Sequence, residues 1–163
     1  MERLDTRTCG VAGACTMVAG VGLIAVGLWG RLDVRRGLAR ERIVSTPDAK
    51  RPSRPVTSPA AARSMAEVIR ENTLSATSGK TYGETPAYVD ENGSPTDDRA
   101  LAAKDTVTGA PVESPEHALW IQSTALQTAL MEAYLAARLA ELTVALGATF
   151  VGVGAGLLSV ARR

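Results

Sequence analysis

Residues 9–29 read CGVAGACTMVAGVGLIAVGLW, and residues 142–160 read LTVALGATFVGVGAGLLSV. Neither stretch contains a charged residue or a proline, and a helix of either length crosses a hydrocarbon core of about 30 Å at about 1.5 Å of rise per residue. Trp29 ends the first stretch, where interfacial aromatic residues are found. The sequence therefore predicts two transmembrane helices, over 9–29 and over 139–161.

The remainder of the 163-residue chain has a different composition. All eight prolines lie between residues 47 and 115, while ten of the fifteen glycines lie in 10–30 or 147–156. A soluble protein would need a large core around two such apolar helices, and the polar middle cannot supply one. The net charge of +1 gives no general attraction for nucleic acid.

A cleaved signal peptide is the alternative for the first stretch. Two arginines precede it, and residues 25–27 (AVG) have the small-x-small pattern of a cleavage site. The apolar run is longer than the roughly 7–15 residues of a signal core, which favours a retained anchor.

The middle of the chain predicts helical extensions and connecting segments. The first helix should continue through 31–43, and a second long helix should begin at Glu116 and join the second span. Ser58-Pro59 is typical of a helix start and introduces an amphipathic helix over 59–74. Proline content makes 44–58 a flexible connection, and low apolar content makes 85–115 a flexible loop. The predicted fold class is an all-α membrane protein, a two-helix antiparallel hairpin with helices extended as stalks around a small, partly disordered polar domain.

Small residues recur along both apolar stretches and predict helix packing. Glycines repeat every seven residues in the first stretch, and small residues repeat every four in the second. Such faces let helix backbones approach closely in lipid. The predicted packing residues are Gly13, Gly20, Gly27, Ala148, Gly152 and Gly156. An intramolecular hairpin, a dimer and docking onto a larger membrane complex all remain open.

Four residues are predicted to anchor the helices at the membrane interface. They are Trp29, Arg31, Arg138 and Glu141. The last two stand three residues apart, a spacing at which opposite charges pair on a helix.

The motifs that could carry chemistry are incomplete. Residues 79–81 (GKT) resemble the end of a phosphate-binding loop, but Leu74 stands where that motif needs its first glycine. We therefore interpret the segment as a turn that closes the preceding helix, with Gly79 as its C-cap. Residues 90–98 lack the ligand spacing of a calcium loop. One histidine, His117, and two cysteines within the first span leave no catalytic, cofactor or metal site to predict.

Charge alone leaves the membrane orientation open. Five arginines between residues 31 and 42 favour a cytoplasmic loop, whereas Arg162, Arg163 and the acidic residues before the second helix favour the opposite. Long loops cross membranes largely regardless of charge.

Three segments resemble a family of small two-span membrane proteins of actinobacteria: 38–49 (LARERIVSTPDA), 65–84 (MAEVIRENTLSATSGKTYGE) and 124–154. The resemblance implies a multi-pass protein of the bacterial cell membrane, with residues 1–8 and 162–163 in the cytoplasm and 30–138 outside. The insert at 85–115 departs from the pattern of that family, so the resemblance implies nothing about this segment. Members are often labelled aromatic ring-opening dioxygenases, but a non-haem iron triad needs two histidines, and this chain has one.

These features predict a non-enzymatic accessory or scaffold component of the membrane. The expected partners are the lipid bilayer and either a second copy or a larger membrane complex, with no cofactor and no nucleic acid. The alternative is an oligomeric pore or lysis-type protein built from the same spans. Against it, neither span has a polar stripe that could line water.

Overall fold

The computed structural model describes residues 6–45 and 54–162. Within them lie three α-helices, α1 (Thr6–Arg40), α2 (Pro59–Ala76) and α3 (Pro115–Ala161), and a short antiparallel pair of strands, β1 (Tyr88–Val89) and β2 (Pro95–Thr96). The prediction of a mostly helical chain with two long apolar helices is confirmed. Parts of the predicted N-terminal segment 1–8, connection 44–58 and C-terminal segment 162–163 fall outside the described residues.

Both long helices extend beyond their apolar stretches. No proline interrupts residues 6–40, and α1 continues for eleven residues after Trp29 before Arg42, at φ 50°, takes the left-handed conformation that ends it. Proline at the first position of α3 suits a helix start, because its missing N–H would have no partner there. The helix then runs for 47 residues. Thus α1 ends three residues before the predicted limit of 43, and α3 begins one residue before the predicted start at Glu116.

The chain divides into two compact units. Of the described residues, the first unit holds 6–43, 55–59 and 133–162, and the second holds 44–45, 54 and 60–132. In the first unit α1 packs antiparallel on the C-terminal part of α3. Its buried apolar side chains are Leu38, Val56, Ala137 and Ala140.

The second unit has its own small core. The predicted amphipathic helix forms as α2 and buries Met65 and Val68. The other buried apolar side chains of this unit are Ala62, Ala66, Ala102, Trp120 and Leu130.

A turn closes α2 as the GKT segment predicts. The N–H of Gly79 donates to the carbonyl of Leu74 at 2.7 Å, and the N–H of Ser78 donates to that of Ser75 at 3.3 Å. These are the two hydrogen bonds of a Schellman motif. The first left-handed residue is Ser78, at φ 54°, and Gly79 follows at φ 82°. The C-cap is therefore Thr77 and Gly79 is the second residue after it, so the turn forms but the prediction of Gly79 as the C-cap is wrong.

Residues 85–114 differ from the prediction of a flexible loop. The β1–β2 pair and three isolated bridges, Tyr88 to Glu113, Asp90 to Ala102 and Lys104 to Pro111, join the segment to itself. Aspartate side chains close several turns; the carboxylate of Asp90 accepts the N–H groups of Asn92 and Ser94 at 2.9 and 2.8 Å. Hydrogen bonds of this kind shape a segment that has few large apolar residues.

Candidate functional site: the glycine contact between α1 and α3

Glycines bring the backbones of α1 and α3 into direct contact. A Cβ atom added to Gly20 would lie 2.6 Å from the carbonyl oxygen of Gly147, and one added to Gly147 would lie 2.6 Å from that of Gly20. Gly13 and Gly154 face each other in the same way, at 2.9 and 2.6 Å. Real Cβ atoms do not approach that closely, so only glycine fits at these four positions.

The contact keeps a constant register along both helices. Gly13 faces Gly154, Gly20 faces Gly147, and an added Cβ at Gly27 would lie 2.7 Å from the carbonyl oxygen of Ala140. Each step along either helix is seven residues. A seven-residue repeat stays on one helix face only when the helices cross at a shallow, left-handed angle of about 20°. Larger side chains fill the spaces between the glycines, also at intervals of seven: Met17 and Ile24 on α1, and Val144, Val151 and Leu158 on α3.

The structure places only half of the predicted packing residues in this contact. Gly13, Gly20 and Gly27 lie in it. On α3 the contact uses positions 140, 147 and 154, whereas Gly152 and Gly156 have nothing within 4 Å of an added Cβ and Ala148 is exposed. The prediction for α3 was based on small residues spaced four apart. Because the glycines of α1 repeat every seven residues, the residues of α3 that contact them must also repeat every seven.

The four predicted anchors lie on the helix surfaces. Arg138 and Glu141 form the expected ion pair, at 2.7 Å, and the Arg138 guanidinium also lies 5.8 Å from the centre of the Tyr134 ring. Trp29 and Arg31 are exposed on α1, where they follow the apolar stretch.

The two long helices leave most of their apolar surface uncovered. Both are long and apolar enough to cross a membrane, and only 17% and 11% of their most apolar windows are buried. A core helix of a soluble protein would bury most of such a window. Valine and leucine side chains that stand exposed include Val18, Val26, Leu139 and Leu142.

A second cluster, in the second unit, joins the turn after α2 to the first turns of α3. The indole N–H of Trp120 donates to the Lys80 carbonyl at 3.1 Å, and the Lys80 ammonium pairs with Glu116 at 3.1 Å. The His117 ring lies against Tyr82, with ring centres 4.7 Å apart, and its Nδ1 is 3.3 Å from the carbonyl oxygen of Thr85.

Sequence reasoning missed this cluster because its partners are separated by 32 to 40 residues. The Thr77 hydroxyl, which is fully buried, also lies 2.7 Å from the Lys80 carbonyl oxygen. Main-chain and side-chain atoms of one lysine thus both fix the turn on α3. The hydrogen bonds of Trp120, Thr77 and Lys80 in this cluster hold the turn in place.

The part of the chain that the structure describes contains no group of three or more His, Cys, Asp or Glu residues that could hold a metal ion. Cys9 and Cys15 are free thiols on α1. The glycine contact is therefore the feature that the geometry singles out, and it is a packing site. No protein-family model, curated protein or solved structure matches this chain.

Proposed function

We propose that the chain is a multi-pass protein of the bacterial cell membrane, in which α1 and α3 cross the bilayer as one antiparallel hairpin. The observation that carries this proposal is the glycine contact. Lipid chains are as apolar as leucine, so helices in a bilayer associate through close backbone packing rather than by removing apolar surface from water. The chain follows that pattern, with glycines at the contact and larger apolar residues facing outward.

In this proposal the protein acts as a non-enzymatic accessory or scaffold component. The hairpin anchors the chain in the bilayer, and the second unit offers a folded polar surface to a partner. Both termini lie in the cytoplasm, and residues 30–138 lie outside, in agreement with the resemblance to the actinobacterial two-span proteins. The likeness rests on 38–49, 65–84 and 124–154.

Engineered disulfides test the hairpin in the membrane. An added Cβ at Gly10 would lie 3.8 Å from the Ala161 Cβ, and one at Gly30 would lie 3.7 Å from the Ala140 Cβ. Disulfides need a Cβ–Cβ distance of about 3.5–4.5 Å. In a background without Cys9 and Cys15, we expect Gly10→Cys/Ala161→Cys and Gly30→Cys/Ala140→Cys to oxidise rapidly in isolated membranes.

The matched control is Gly22→Cys/Ala161→Cys, because Gly22 has nothing within 4 Å of an added Cβ. Oxidation is read as loss of labelling by a maleimide mass tag, after membranes are washed in alkaline carbonate. Protein released by the wash would contradict membrane insertion. If the protein stays in the membrane but the control pair oxidises as fast as the two test pairs, the hairpin register is contradicted.

The orientation and the pore alternative are tested separately. Ser94, which is exposed in the second unit, is replaced by cysteine in the same background and intact cells receive a membrane-impermeant thiol reagent. Labelling before lysis supports the outside location, and labelling only after lysis reverses it. Reconstituted protein that releases dye from liposomes would favour the pore or lysis alternative, for which the uncovered face of Ala148, Gly152 and Gly156 would supply the contact between copies.

A further inference from the structure

The part of α1 that follows its apolar stretch is strongly basic. Between residues 31 and 42 there are five arginines and only two acids, Asp33 and Glu41. The arginines are Arg31, Arg35, Arg36, Arg40 and Arg42. All five are exposed, and none has an ion-pair partner among the residues that the structure describes. A positive surface without internal counter-ions therefore begins two residues after Trp29.

The helix geometry sets the depth of these side chains. If residues 9–29 span the core, each headgroup layer beyond it is about 5–8 Å thick and holds about the next three to five residues at 1.5 Å each. Arg31 falls within that layer. Arg35 and Arg36 lie about 9 and 10.5 Å beyond Trp29, just outside that layer, and a long arginine side chain can bend back toward it along its aliphatic stem.

Among the described residues, no ion pair joins α3 to this surface. The register of the glycine contact places Arg138 of α3 level with Trp29 of α1 and Glu141 one turn deeper. The Glu141 carboxylate is already bonded to Arg138 at 2.7 Å. The first unit therefore presents unpaired guanidinium groups at the headgroup level.

We propose that Arg31, Arg35 and Arg36 form a binding surface for the phosphate groups of anionic phospholipids in the leaflet that the C-terminal end of α1 reaches. A guanidinium presents its N–H groups in a fork that matches a phosphate in a bidentate manner. The inference rests on the proposed membrane insertion. In it, this end of the hairpin selects anionic phospholipids from the bilayer.

The test measures lipid selectivity of the full chain in a reconstituted bilayer. Spin-labelled phosphatidylglycerol and phosphatidylcholine report, by electron paramagnetic resonance, the relative affinity of each lipid for the protein surface. We expect the wild type to prefer phosphatidylglycerol, and Arg31→Gln/Arg35→Gln/Arg36→Gln to lose that preference. Each arginine near a membrane surface contributes about fivefold in affinity for anionic lipid, so the loss should be at least about fivefold.

The matched control is Arg70→Gln/Arg99→Gln/Lys104→Gln, which removes the same charge from exposed positions of the second unit. It should retain the preference. Flotation on a density gradient first separates protein that has entered the bilayer. Incorporated wild type with equal affinity for the two lipids would overturn this inference alone, and so would equal losses in the two triple variants. Protein that never floats with the lipid would overturn the proposed function and this inference with it.

Discussion

Replacing Gly20 with alanine should destabilise the hairpin, whereas the same change at Gly22 should not. The new Cβ at position 20 would lie 2.6 Å from the Gly147 carbonyl oxygen and 2.8 Å from the Val151 backbone nitrogen. A carbon–oxygen contact between helices is normally about 3.3–3.6 Å, so the helices must separate here by roughly 0.7–1.0 Å. Overpacking of this kind costs about 1–3 kcal/mol.

Gly22 has open space around it, so alanine there contributes only its better helix propensity, about 0.8–1.0 kcal/mol. Alanine at position 20 gains the same propensity, so the two variants should differ by the overpacking cost alone, about 1–3 kcal/mol. For a chain of this size that difference is roughly 2–12 °C in unfolding midpoint. The midpoints are measured by circular dichroism while the three proteins are heated in the same detergent. The wild-type midpoint should lie between those of the two variants or close to that of Gly22→Ala. Equal midpoints for the two alanine variants would refute the direct backbone contact.

Two further predictions concern the second unit. Trp120→Phe should lower the free energy of unfolding by about 1–3 kcal/mol, because it removes a hydrogen bond and buried volume. Trp29→Phe should change it little, since Trp29 is 66% exposed and Trp120 only 5%; equal effects would contradict the assigned core. The backbone N–H and the hydroxyl of Thr81 bond to the Glu84 carboxylate and lower its pKa. A lowered folded-state pKa stabilises the protein above the ordinary carboxyl pKa of about 4, and this contribution is lost as the pH falls through the lowered value. Acid titration should thus destabilise the wild type more than Glu84→Gln, with Glu91→Gln as the control that follows the wild type.

The extent and type of the long helices were accessible from the sequence because they depend on local features. An uncharged run of 19 to 21 residues, the absence of proline and the Ser58-Pro59 start are each visible in a short window. The glycine face of α1 was accessible for the same reason, since its seven-residue period lies within one helix.

The face that α3 contributes could not be chosen from α3 alone. Small residues recur there both at 140, 147 and 154 and at 148, 152 and 156. Which set forms the contact depends on the crossing angle, a property of the pair of helices. The period of α1 was the available signal, because two helices that stay in contact over three steps need equal spacings.

The fold of residues 85–114 was missed for a different reason. Hydropathy reports the apolar area that a segment can bury, and this segment buries little beyond Ala102. Its order comes from bridges between distant backbone groups and from aspartates that accept neighbouring N–H groups. Short polar patterns of that kind are common in loops of every sort, so composition alone does not separate an ordered example from a flexible one.

The pairing of glycine with glycine limits how the contact can change by mutation. In an ordinary core, a larger residue on one helix can be offset by a smaller one opposite, but Gly147 already has no side chain to remove. Trimming Val151 would not help either, since an atom close to an added Cβ at Gly20 is its backbone nitrogen. We therefore expect a genetic screen for suppressors of Gly20→Leu to return reversion or smaller residues at position 20 itself, rather than second-site changes on α3.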